Sequence, residues 1–381
     1  METIHARHVI LGAGAMGSAT AYHLARRGEP LLLVEQFLLG HDRGSSHGAA
    51  RITRHSYADS TYARLMPEAF RGWRLLEAEA GQTLYIRTGG VSFSPPEADY
   101  VARVAASLSA IDVPHRRMDG RDLRRAMPVF ELPESYDVVF EPDAGLLAAA
   151  QAVAVHVELA CHLGGVATRV LEECPVRRID LETNKPTLVS DRLQIVADRL
   201  IVTAGAWVLK LLPQLGVPLR PNRQQVLYFS PSESERFAIG RFPVFISKGL
   251  GELNDYYGMP ACLGCSVKVA RHGGADVDPD AVDRTIGDDY RETVRQFLRG
   301  HIPGLADATI DREEICLYTI APDEQFVVGA LAGRPDVIVA SPCSGHGFKF
   351  SNLVGRVLAD LAVDGRTDID ISAWRVPQND K

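Results

Sequence analysis

The sequence predicts an α/β protein of two interleaved domains, one built on a mostly parallel sheet and the other on a mostly antiparallel β-sheet plus helices. Three observations support this prediction. A glycine-rich turn joins a buried strand to a helix near the N-terminus, similar buried strands return near residues 200 and 338, and strand-like segments dominate residues 220–315. The length of 381 residues suits two domains better than one small binding module.

The first element is a Rossmann-like β-α-β unit near the N-terminus. Residues 8–11 form a buried strand, residues 18–27 a helix, and residues 31–34 a second strand that ends at Glu35. The turn before the helix has the pattern G-x-G-x-x-G and consists of Gly12, Ala13, Gly14, Ala15, Met16 and Gly17. In such a turn the backbone approaches a pyrophosphate closely, and the helix N-terminus meets its negative charge. The unit therefore predicts a dinucleotide-binding site.

Glu35 indicates which dinucleotide to expect. A carboxylate at the end of the second strand accepts a hydrogen bond from a ribose 2′-hydroxyl, and its charge repels a 2′-phosphate. We therefore expect FAD or NAD and not NADP. The alternative is a glycine turn with a purely structural role.

The later elements do not continue as a plain βα series. The predicted helices lie at residues 96–111, 146–163, 288–299 and 352–363, and the predicted strands at 200–207, 225–229, 266–270 and 337–340. Because the strand at 200–207 is buried and ends in a glycine turn, it returns the chain to the first domain. We therefore assign residues 1–85, 145–218 and 318–381 to the nucleotide-binding domain, and residues 86–144 and 219–317 to a substrate domain.

Composition and charge exclude several other classes of protein. Hydrophobic residues make up 46% and charged residues 23%, so long disordered tracts are not expected. The 48 acidic and 41 basic residues give a net charge of -7, which disfavours a nucleic-acid partner. The apolar stretch at 200–212 is too short and too interrupted for a membrane span. With no signal-peptide pattern, we expect a cytoplasmic protein without a membrane partner.

The cysteines are too sparse and too irregularly spaced for a disulfide framework, which indicates reduced thiols. They are Cys161, Cys174, Cys262, Cys265, Cys316 and Cys343. Cys262 and Cys265 form a C-x-x-C pair, but no second pair lies at zinc-finger spacing. Redox pairs of this type belong at the start of a helix and not in a strand-rich segment. We therefore predict no metal site and no redox role for the pair.

Four short motifs could carry chemistry. Arg51 and Arg54, three apart in a glycine-rich run, could bind an anion or a polar ring, or could form a solvated basic turn. Lys268 alternates with valines, so it is either buried for a function or turned outward into solvent. Cys316 is by default a small buried hydrophobic residue. The glycine loop at residues 345–349 could admit a flat ligand or could be a structural turn.

Together these motifs resemble the monomeric sarcosine oxidase family of FAD-dependent amine oxidases, which includes N-methyltryptophan oxidase and pipecolate oxidase. This family is part of the wider D-amino-acid-oxidase-like flavoproteins. The resemblance covers nearly the whole chain and is most specific in Cys-x-Tyr-Thr at 316–319 and Ser-Gly-His-Gly-Phe-Lys-Phe-Ser at 344–351. Further matches are the glycine turn, Ser-His-Gly-x-x-Arg-Ile-x-Arg-His at 46–55, Gly-Ala-Trp at 205–207, Pro-x-Arg-Gln at 221–224 and Lys268. The resemblance implies an FAD-binding domain of the glutathione-reductase type.

The resemblance also implies roles for matching residues. Cys316 matches the cysteine that holds the flavin covalently through an 8α-thioether, which replaces its default interpretation. Lys268 matches the lysine that activates dioxygen, Arg51 the arginine beside the flavin ring, and His272 the histidine four residues beyond the lysine. These last three are the candidate catalytic residues.

Two further sets of residues follow from the resemblance and the glycine turn. The implied substrate-binding residues are Arg54 and Lys349, which match the pair that binds the substrate carboxylate, together with Tyr318, His346, Tyr256 and Tyr257. The implied cofactor-binding residues are Gly12, Ala13, Gly14, Ala15, Met16, Gly17, Glu35, Ser45, Ser46, Arg51, Val176, Ala204, Gly205, Trp207, Cys316, Gly345, His346, Gly347, Phe348 and Lys349.

The implied reaction is the oxidation of a secondary amine amino acid, sarcosine or another N-methyl amino acid, to an imine that hydrolyses to an aldehyde and an amine. Dioxygen would be reduced to hydrogen peroxide, and the enzyme would act as a monomer. Ser46, Ala50 and Cys343 stand where the family commonly has other residues, so N-methyltryptophan, pipecolate, proline and a glycated amino acid stay open as substrates. A dehydrogenase with a non-oxygen acceptor is a further alternative, which Lys268 argues against. A non-catalytic flavin- or NAD-binding protein would leave Lys268, Arg54, Lys349 and Cys316 unexplained.

Overall fold

The computed structural model describes residues 2–251, 255–341, 344–374 and 376. Its strands are β1 (Glu2–Leu11), β2 (Leu31–Val34), β3 (Ala50–Thr53), β4 (Tyr85–Arg87), β5 (Gly90–Ser94), β6 (Arg116–Asp119), β7 (Asp137–Glu141), β8 (Gly145–Ala148), β9 (Thr168–Leu171), β10 (Val176–Asp180), β11 (Thr187–Ser190), β12 (Leu193–Val202), β13 (Arg220–Ser230), β14 (Val244–Ser247), β15 (Tyr256–Met259), β16 (Val267–Arg271), β17 (Thr309–Ile320), β18 (Val327–Leu331) and β19 (Arg334–Ser341). Its α-helices are α1 (Ala15–Arg26), α2 (Ser60–Ala80), α3 (Tyr100–Ala110), α4 (Gly120–Ala126), α5 (Ala149–Gly164), α6 (Val208–Leu211), α7 (Asp288–His301) and α8 (Ser351–Asp364). Cys343, one of the departures from the family, lies outside the described residues.

The first sheet is mostly parallel and contains the N-terminal β-α-β unit. Its strand order is β10-β11-β12-β1-β2-β9, and β19, with β18 beside it, pairs with the C-terminal part of β12. Both faces are buried: Ile10 and Ile201 pack among residues of α1, α5 and α8, whereas Val9 and Leu200 belong to the core on the other face. Strands buried on both faces need continuous apolar runs, which is why these segments could be recognised in the sequence.

The second sheet has the order β17-β13-β16-β15-β14-β5-β7-β6 and is antiparallel except where β14 pairs with β5. Successive side chains of a strand point to opposite faces. Val267 and Val269 therefore pack with Phe297 of α7 in an aromatic core, while Lys268 between them faces the other way. Lys268 is nevertheless buried, with 5% of its surface exposed. The outward, solvated alternative for Lys268 is thus excluded, and the predicted mixed α/β fold with an antiparallel second sheet is confirmed.

Three elements differ from the sequence expectations. The strand expected at residues 200–207 is β12, which begins at Leu193 and ends at Val202, and Gly205–Trp207 form a 3-10 helix. The helix expected from residue 146 begins at Ala149, because Leu146 and Leu147 belong to β8, which pairs with both β3 and β4 in a third, small sheet. Helix α2 was not expected at all. Asp59 caps its N-terminus by accepting a hydrogen bond from the Thr61 backbone N–H at 2.8 Å, a local signal that was overlooked.

One helical stretch of the described residues, Ala149–Ala167, is long and apolar enough to cross a membrane when length and composition alone are considered. Core helices of globular enzymes meet the same criteria. Here α5, which forms most of this stretch, packs against α1. The expected absence of a membrane partner stays a prediction.

A buried polar chain connects three of the helices. His23 of α1 donates from Nε2 to Asn352 Oδ1 of α8 at 3.0 Å, and Asn352 donates from Nδ2 to His156 Nε2 of α5 at 3.2 Å. Burial lowers the pKa of His23 to about 4 and that of His156 to about 3. Both rings are therefore neutral in the folded protein at pH 5–7.

The two buried, neutral histidines predict a loss of stability in mild acid. Below pH 6.5 the unfolded chain protonates both histidines, whereas the folded protein does not until about pH 4 and 3. The free energy of unfolding should therefore fall by about 2–4 kcal/mol from pH 7 to pH 5 through these two groups. Urea unfolding at both pH values measures it. A double variant, His23→Gln with His156→Gln, should have a flatter pH dependence, and an unchanged slope would contradict the prediction.

Candidate active site

A cavity of about 900 Å³ lies between the first sheet and the inner face of the second. The site residues proposed from the sequence come from ten separate segments of the chain, yet all of them except Gly17 line this cavity. Strands β1, β2 and β12 point their carboxyl ends at one part of it, and strands β15, β16 and β17 form another wall. Ligands of open α/β sheets bind at the carboxyl ends of the strands.

The glycine turn of the first sheet requires glycine at two positions. Gly12 has a φ of +104°, and a Cβ atom on it would lie 2.6 Å from the carbonyl oxygen of Thr203. A Cβ atom on Gly17 would lie 1.8 Å from the carbonyl oxygen of Gly12. Gly17 therefore allows the helix to approach the turn without itself reaching the cavity.

The N-terminus of α1 opens onto the cavity with Gly14 as its N-cap and no side-chain cap. The Ala13 N–H donates to Glu35 Oε2 at 2.8 Å, and the Ala15 N–H donates to Ser46 Oγ at 2.9 Å. Burial raises the pKa of Glu35, but hydrogen bonds from His41 and from the Ala13 backbone outweigh it and leave the net pKa lowered. Glu35 is therefore a buried carboxylate on the cavity wall, which suits a ribose hydroxyl and disfavours a 2′-phosphate.

Arg51 of β3 is held by backbone carbonyl groups. Its guanidinium donates to the carbonyl oxygens of Ala50 at 2.9 Å, Ser45 at 2.9 Å and His47 at 2.7 Å, and it lies 5.9 Å from the ring centre of Phe348. These bonds fix a positive charge at the cavity wall. The glycine-rich run therefore does not form a solvated turn but surrounds this cation.

Lys268 is a buried cation facing the cavity with no ion pair among the described residues. Its Nζ lies 6.0 Å from the ring centre of Tyr228, whose hydroxyl donates to Glu314 Oε2 at 2.9 Å. Burial, and next the Arg51 guanidinium, lower the pKa of Lys268 to about 8. At neutral pH the amine therefore stays mostly protonated in a site that already holds a second positive charge.

Arg54 and Lys349 form a second pair of buried basic groups. Arg54 is 9% exposed and Lys349 6%, and neither makes an ion pair within the described part of the chain. The Nε and Nη1 atoms of Arg54 are buried without any hydrogen-bond partner there. Burial, and then Arg54, lower the pKa of Lys349 well below its ordinary value. An anion bound between them would satisfy the guanidinium and restore the charge of the amine.

Tyr57 connects these groups to His346, and sequence reasoning missed it. Lys349 Nζ donates to Tyr57 Oη at 2.9 Å, Tyr57 Oη lies 3.2 Å from His346 Nδ1, and His346 Nε2 lies 3.0 Å from the carbonyl oxygen of Glu324. Because a carbonyl oxygen can only accept, Nε2 of His346 carries the hydrogen and Nδ1 accepts from Tyr57. Burial lowers the pKa of His346 to about 3, so its ring is neutral. The guanidinium of Arg54 also stacks on the Tyr57 ring at 4.6 Å.

The two adjacent tyrosines of β15 differ in orientation. The Tyr257 hydroxyl hydrogen-bonds with Tyr318, and both groups line the cavity. The Tyr256 ring instead stacks on Phe297 at 4.0 Å, and its hydroxyl donates to the carbonyl oxygen of Thr293 at 3.4 Å. Tyr257 is therefore the residue of the pair that offers a phenol to a ligand.

The second wall also carries Cys316 and His272. Cys316 is buried, and burial raises the pKa of its thiol. The His272 ring lies 5.5 Å from that of Tyr318, and burial, then Lys248, lower its pKa. The glycine loop passes beside them: a Cβ atom on Gly345, where φ is +79°, would lie 2.5 Å from the Tyr318 ring. Glycine at residue 345 is therefore required by this close approach.

A buried carboxylate, Glu141, supports the segment that carries Arg54, and sequence reasoning missed it too. Glu141 Oε1 lies 2.6 Å from His55 Nδ1, and the carboxylate accepts from the backbone N–H groups of His55 at 2.9 Å and Ser56 at 3.0 Å. Burial raises the pKa of Glu141, but the hydrogen bonds from His55 and Ser56 leave it lowered overall. The hydrogen bonds of Glu141 join residues 86 positions apart in the chain. In the sequence, the run that ends in Arg54 and His55 was the only pattern that pointed to this contact.

These features fit a flavin dinucleotide. The glycine turn, the helix N-terminus that opens onto the cavity and Glu35 offer what a dinucleotide needs at one end, and the cations and tyrosines gather at the other. Among the described residues, no three His, Cys, Asp or Glu side chains are grouped so that they could hold a metal ion.

The sequence matches the family described as FAD dependent oxidoreductase over residues 7–361. It is 34% identical to the monomeric sarcosine oxidase of Bacillus sp. (strain B-0618), over 97% of this chain and 95% of that protein. It is 32% identical to the N-methyl-L-tryptophan oxidase of Yersinia pestis (strain Pestoides F), over 96% of this chain and 97% of that protein.

The fold also matches solved structures. NikD, described as an unusual amino acid oxidase essential for nikkomycin biosynthesis, superimposes with a TM-score of 0.85, covering 99% of this chain and 98% of that chain at 24% identity. This likeness concerns the fold alone. The family match and the two relatives decide the assignment: the chain belongs to the FAD dependent oxidoreductase family and, within it, to the monomeric sarcosine oxidase and N-methyltryptophan oxidase family, with FAD as its cofactor.

Proposed function

We propose that this protein oxidises a secondary amine amino acid, sarcosine or another N-methyl amino acid, and uses dioxygen as the electron acceptor. The observation that carries the proposal is the pair Arg54 and Lys349, buried without an anion beside a cavity that fits FAD. A substrate with a free carboxylate provides that anion. The products would be an aldehyde, an amine and hydrogen peroxide.

FAD, when bound, supplies the redox chemistry by accepting a hydride from the carbon attached to the amine nitrogen and passing two electrons to dioxygen. The chain supplies orientation. Arg54 offers a planar guanidinium and Lys349 a point charge to one carboxylate, and the neutral Tyr57–His346 pair fixes the Lys349 amine.

Lys268 supports dioxygen as the acceptor. It is a fixed, buried cation on the cavity wall that no carboxylate neutralises among the described residues. Such a charge stabilises negative charge as it develops on dioxygen, because it needs no reorganisation and water is excluded. Arg51 adds a second fixed charge at the same wall. We propose Lys268, Arg51 and His272 as the catalytic residues. We also propose that the enzyme is a cytoplasmic monomer and that its domain boundaries are those predicted from the sequence.

The substrate is tested by an amine screen read out by peroxide. Purified holoenzyme is supplied with sarcosine, N-methyltryptophan, pipecolate, proline and a glycated amino acid, and hydrogen peroxide is measured. Peroxide production with at least one secondary amine acid is expected. Reduction of the flavin by these substrates without peroxide would show a dehydrogenase with another acceptor, and no reduction by any of them would overturn the proposal.

We also propose that Cys316 holds FAD covalently. Its sulfur lies on the cavity wall, buried beside Arg51 and Lys268, in the position that the family resemblance implies. The wild-type protein should keep its yellow colour after acid precipitation, and Cys316→Ser should lose it, because a thioether survives denaturation. Cys174→Ser, which changes a buried cysteine in the core of the first sheet, is the matched control and should keep the colour. Flavin that washes out of the denatured wild-type chain would refute the attachment.

A further inference from the structure

Cys262 and Cys265, the C-x-x-C pair for which the sequence predicted no role, close a tight turn between β15 and β16. The Cys262 N–H donates to the Cys265 carbonyl at 3.0 Å, and the Cys265 N–H donates to the Cys262 carbonyl at 2.9 Å. Both residues between them have positive φ, +51° at Leu263 and +74° at Gly264. The pair is therefore a cross-strand pair of a two-residue hairpin turn and not a helix start.

This pairing brings the two Cα atoms within the range that a disulfide spans. Two residues that exchange both backbone hydrogen bonds have Cα atoms about 5.5 Å apart. Disulfides span Cα–Cα distances of about 4.4–6.8 Å. Both thiols are free in the structure.

The two cysteines have different surroundings. Both are partly exposed at the turn, and Arg312 donates from Nη1 to Cys265 Sγ at 3.4 Å. The thiolate is the nucleophilic form of cysteine. Cys262 packs beside Met259, and burial, then Cys265, raise its pKa to about 11. Cys265 is therefore the sulfur suited to attack an oxidant, and Cys262 the sulfur suited to close the bond.

An oxidant would arise close by. Lys268 is the second residue of β16 and follows Cys265 by three positions. Its charge interacts with both cysteines. We propose that Cys262 and Cys265 are a redox-active dithiol that hydrogen peroxide converts to a disulfide. The supply of peroxide rests on the proposed function, in which dioxygen is reduced next to Lys268.

The chemistry balances in two steps. The Cys265 sulfur attacks one oxygen of hydrogen peroxide, the O–O bond breaks, and one water leaves, which produces a sulfenic acid. The Cys262 sulfur then attacks the Cys265 sulfur and displaces the second water. Overall, the two cysteines lose two electrons and their two thiol hydrogens. The hydrogen peroxide gains these electrons and hydrogens and becomes two molecules of water.

A single peptide reports the reaction. Trypsin cuts after Lys248 and after Lys268 and leaves both cysteines in one peptide, residues 249–268. After holoenzyme is treated with hydrogen peroxide, this peptide should be lighter by two hydrogen atoms and should resist alkylation until a reductant is added. Cys161, an exposed lone cysteine, is the internal control and should form no such cross-link. In Cys265→Ser the peptide should not lose two hydrogen atoms. If peroxide leaves both thiols free, or only adds oxygen to one of them, the proposal is wrong.

Added and enzyme-made peroxide distinguish this proposal from the proposed function. Amine turnover should form the disulfide, and catalase should slow its formation. If added peroxide forms the disulfide but turnover produces no peroxide, the proposed function fails and the dithiol stands. If turnover produces peroxide but added peroxide leaves the thiols free, the dithiol fails and the proposed function stands.

Discussion

Lys268→Met is expected to slow the reaction of the reduced enzyme with dioxygen by a factor of about 10²–10³, the usual cost of losing one preorganised electrostatic group. Reduction of the enzyme by its amine substrate should change far less, because Arg54 and Lys349, and not Lys268, bind the substrate carboxylate in the proposal. The variant keeps a long unbranched side chain, so the packing against Tyr228 is preserved. Stopped-flow absorbance of the flavin follows the two half-reactions separately.

Two controls make the Lys268 prediction specific. Lys210→Met also removes a lysine from the cavity wall, but that lysine is paired with Asp278 and Asp280 and is partly exposed, so its loss should leave the oxygen reaction unchanged. Lys268→Arg keeps the charge and should restore part of the rate. Since the pKa of Lys268 is lowered to about 8, the wild-type oxygen reaction should slow as pH rises through that value. An oxygen reaction that is as fast in Lys268→Met as in wild type would remove Lys268 from the mechanism.

Arg54→Ala is expected to raise KM for a carboxylate substrate by about 30- to 1,000-fold, which corresponds to about 2–4 kcal/mol. The reason is that Nε and Nη1 of Arg54 are buried without partners and gain them from the substrate carboxylate. Oxidation of an amine that lacks the carboxylate should scarcely change. Steady-state assays on the best amino acid of the screen, and on its ester and amide, measure both effects.

A matched variant controls for loss of a positive charge at the cavity. Arg103 also lines the cavity, but it is mostly exposed and lies 3.9 Å from Asp99, so Arg103→Ala should change KM little. Esters that wild-type enzyme oxidises as efficiently as the free acids would contradict the carboxylate assignment. A KM that rises equally for acids and esters in Arg54→Ala would show a packing role in place of an ionic one.

Local patterns were sufficient for the parts of the fold whose side chains meet neighbours close in sequence. The β-α-β unit was predictable because a buried strand, a glycine turn and an N-terminal helix lie within one short segment, and Gly12 and Gly17 permit no side chain there. Strand alternation placed Lys268 on the face opposite Val267 and Val269, but only the structure showed that this face meets the cavity and not solvent. Cofactor and family were recognisable from contiguous strings of residues, and the family match confirms them.

The tertiary structure decided what depends on distant partners. Leu146 and Leu147 form a strand and not the start of a helix because β3 and β4, both far away in the chain, pair with them. Glu141 and Tyr57 carry no motif of their own and gain importance only from the groups they bind. Cys265 could not be distinguished from Cys262 until the fold placed Arg312 beside its sulfur. Hydrogen bonds and charges between segments far apart in the sequence act only after the chain has folded, so no local pattern in the sequence records them.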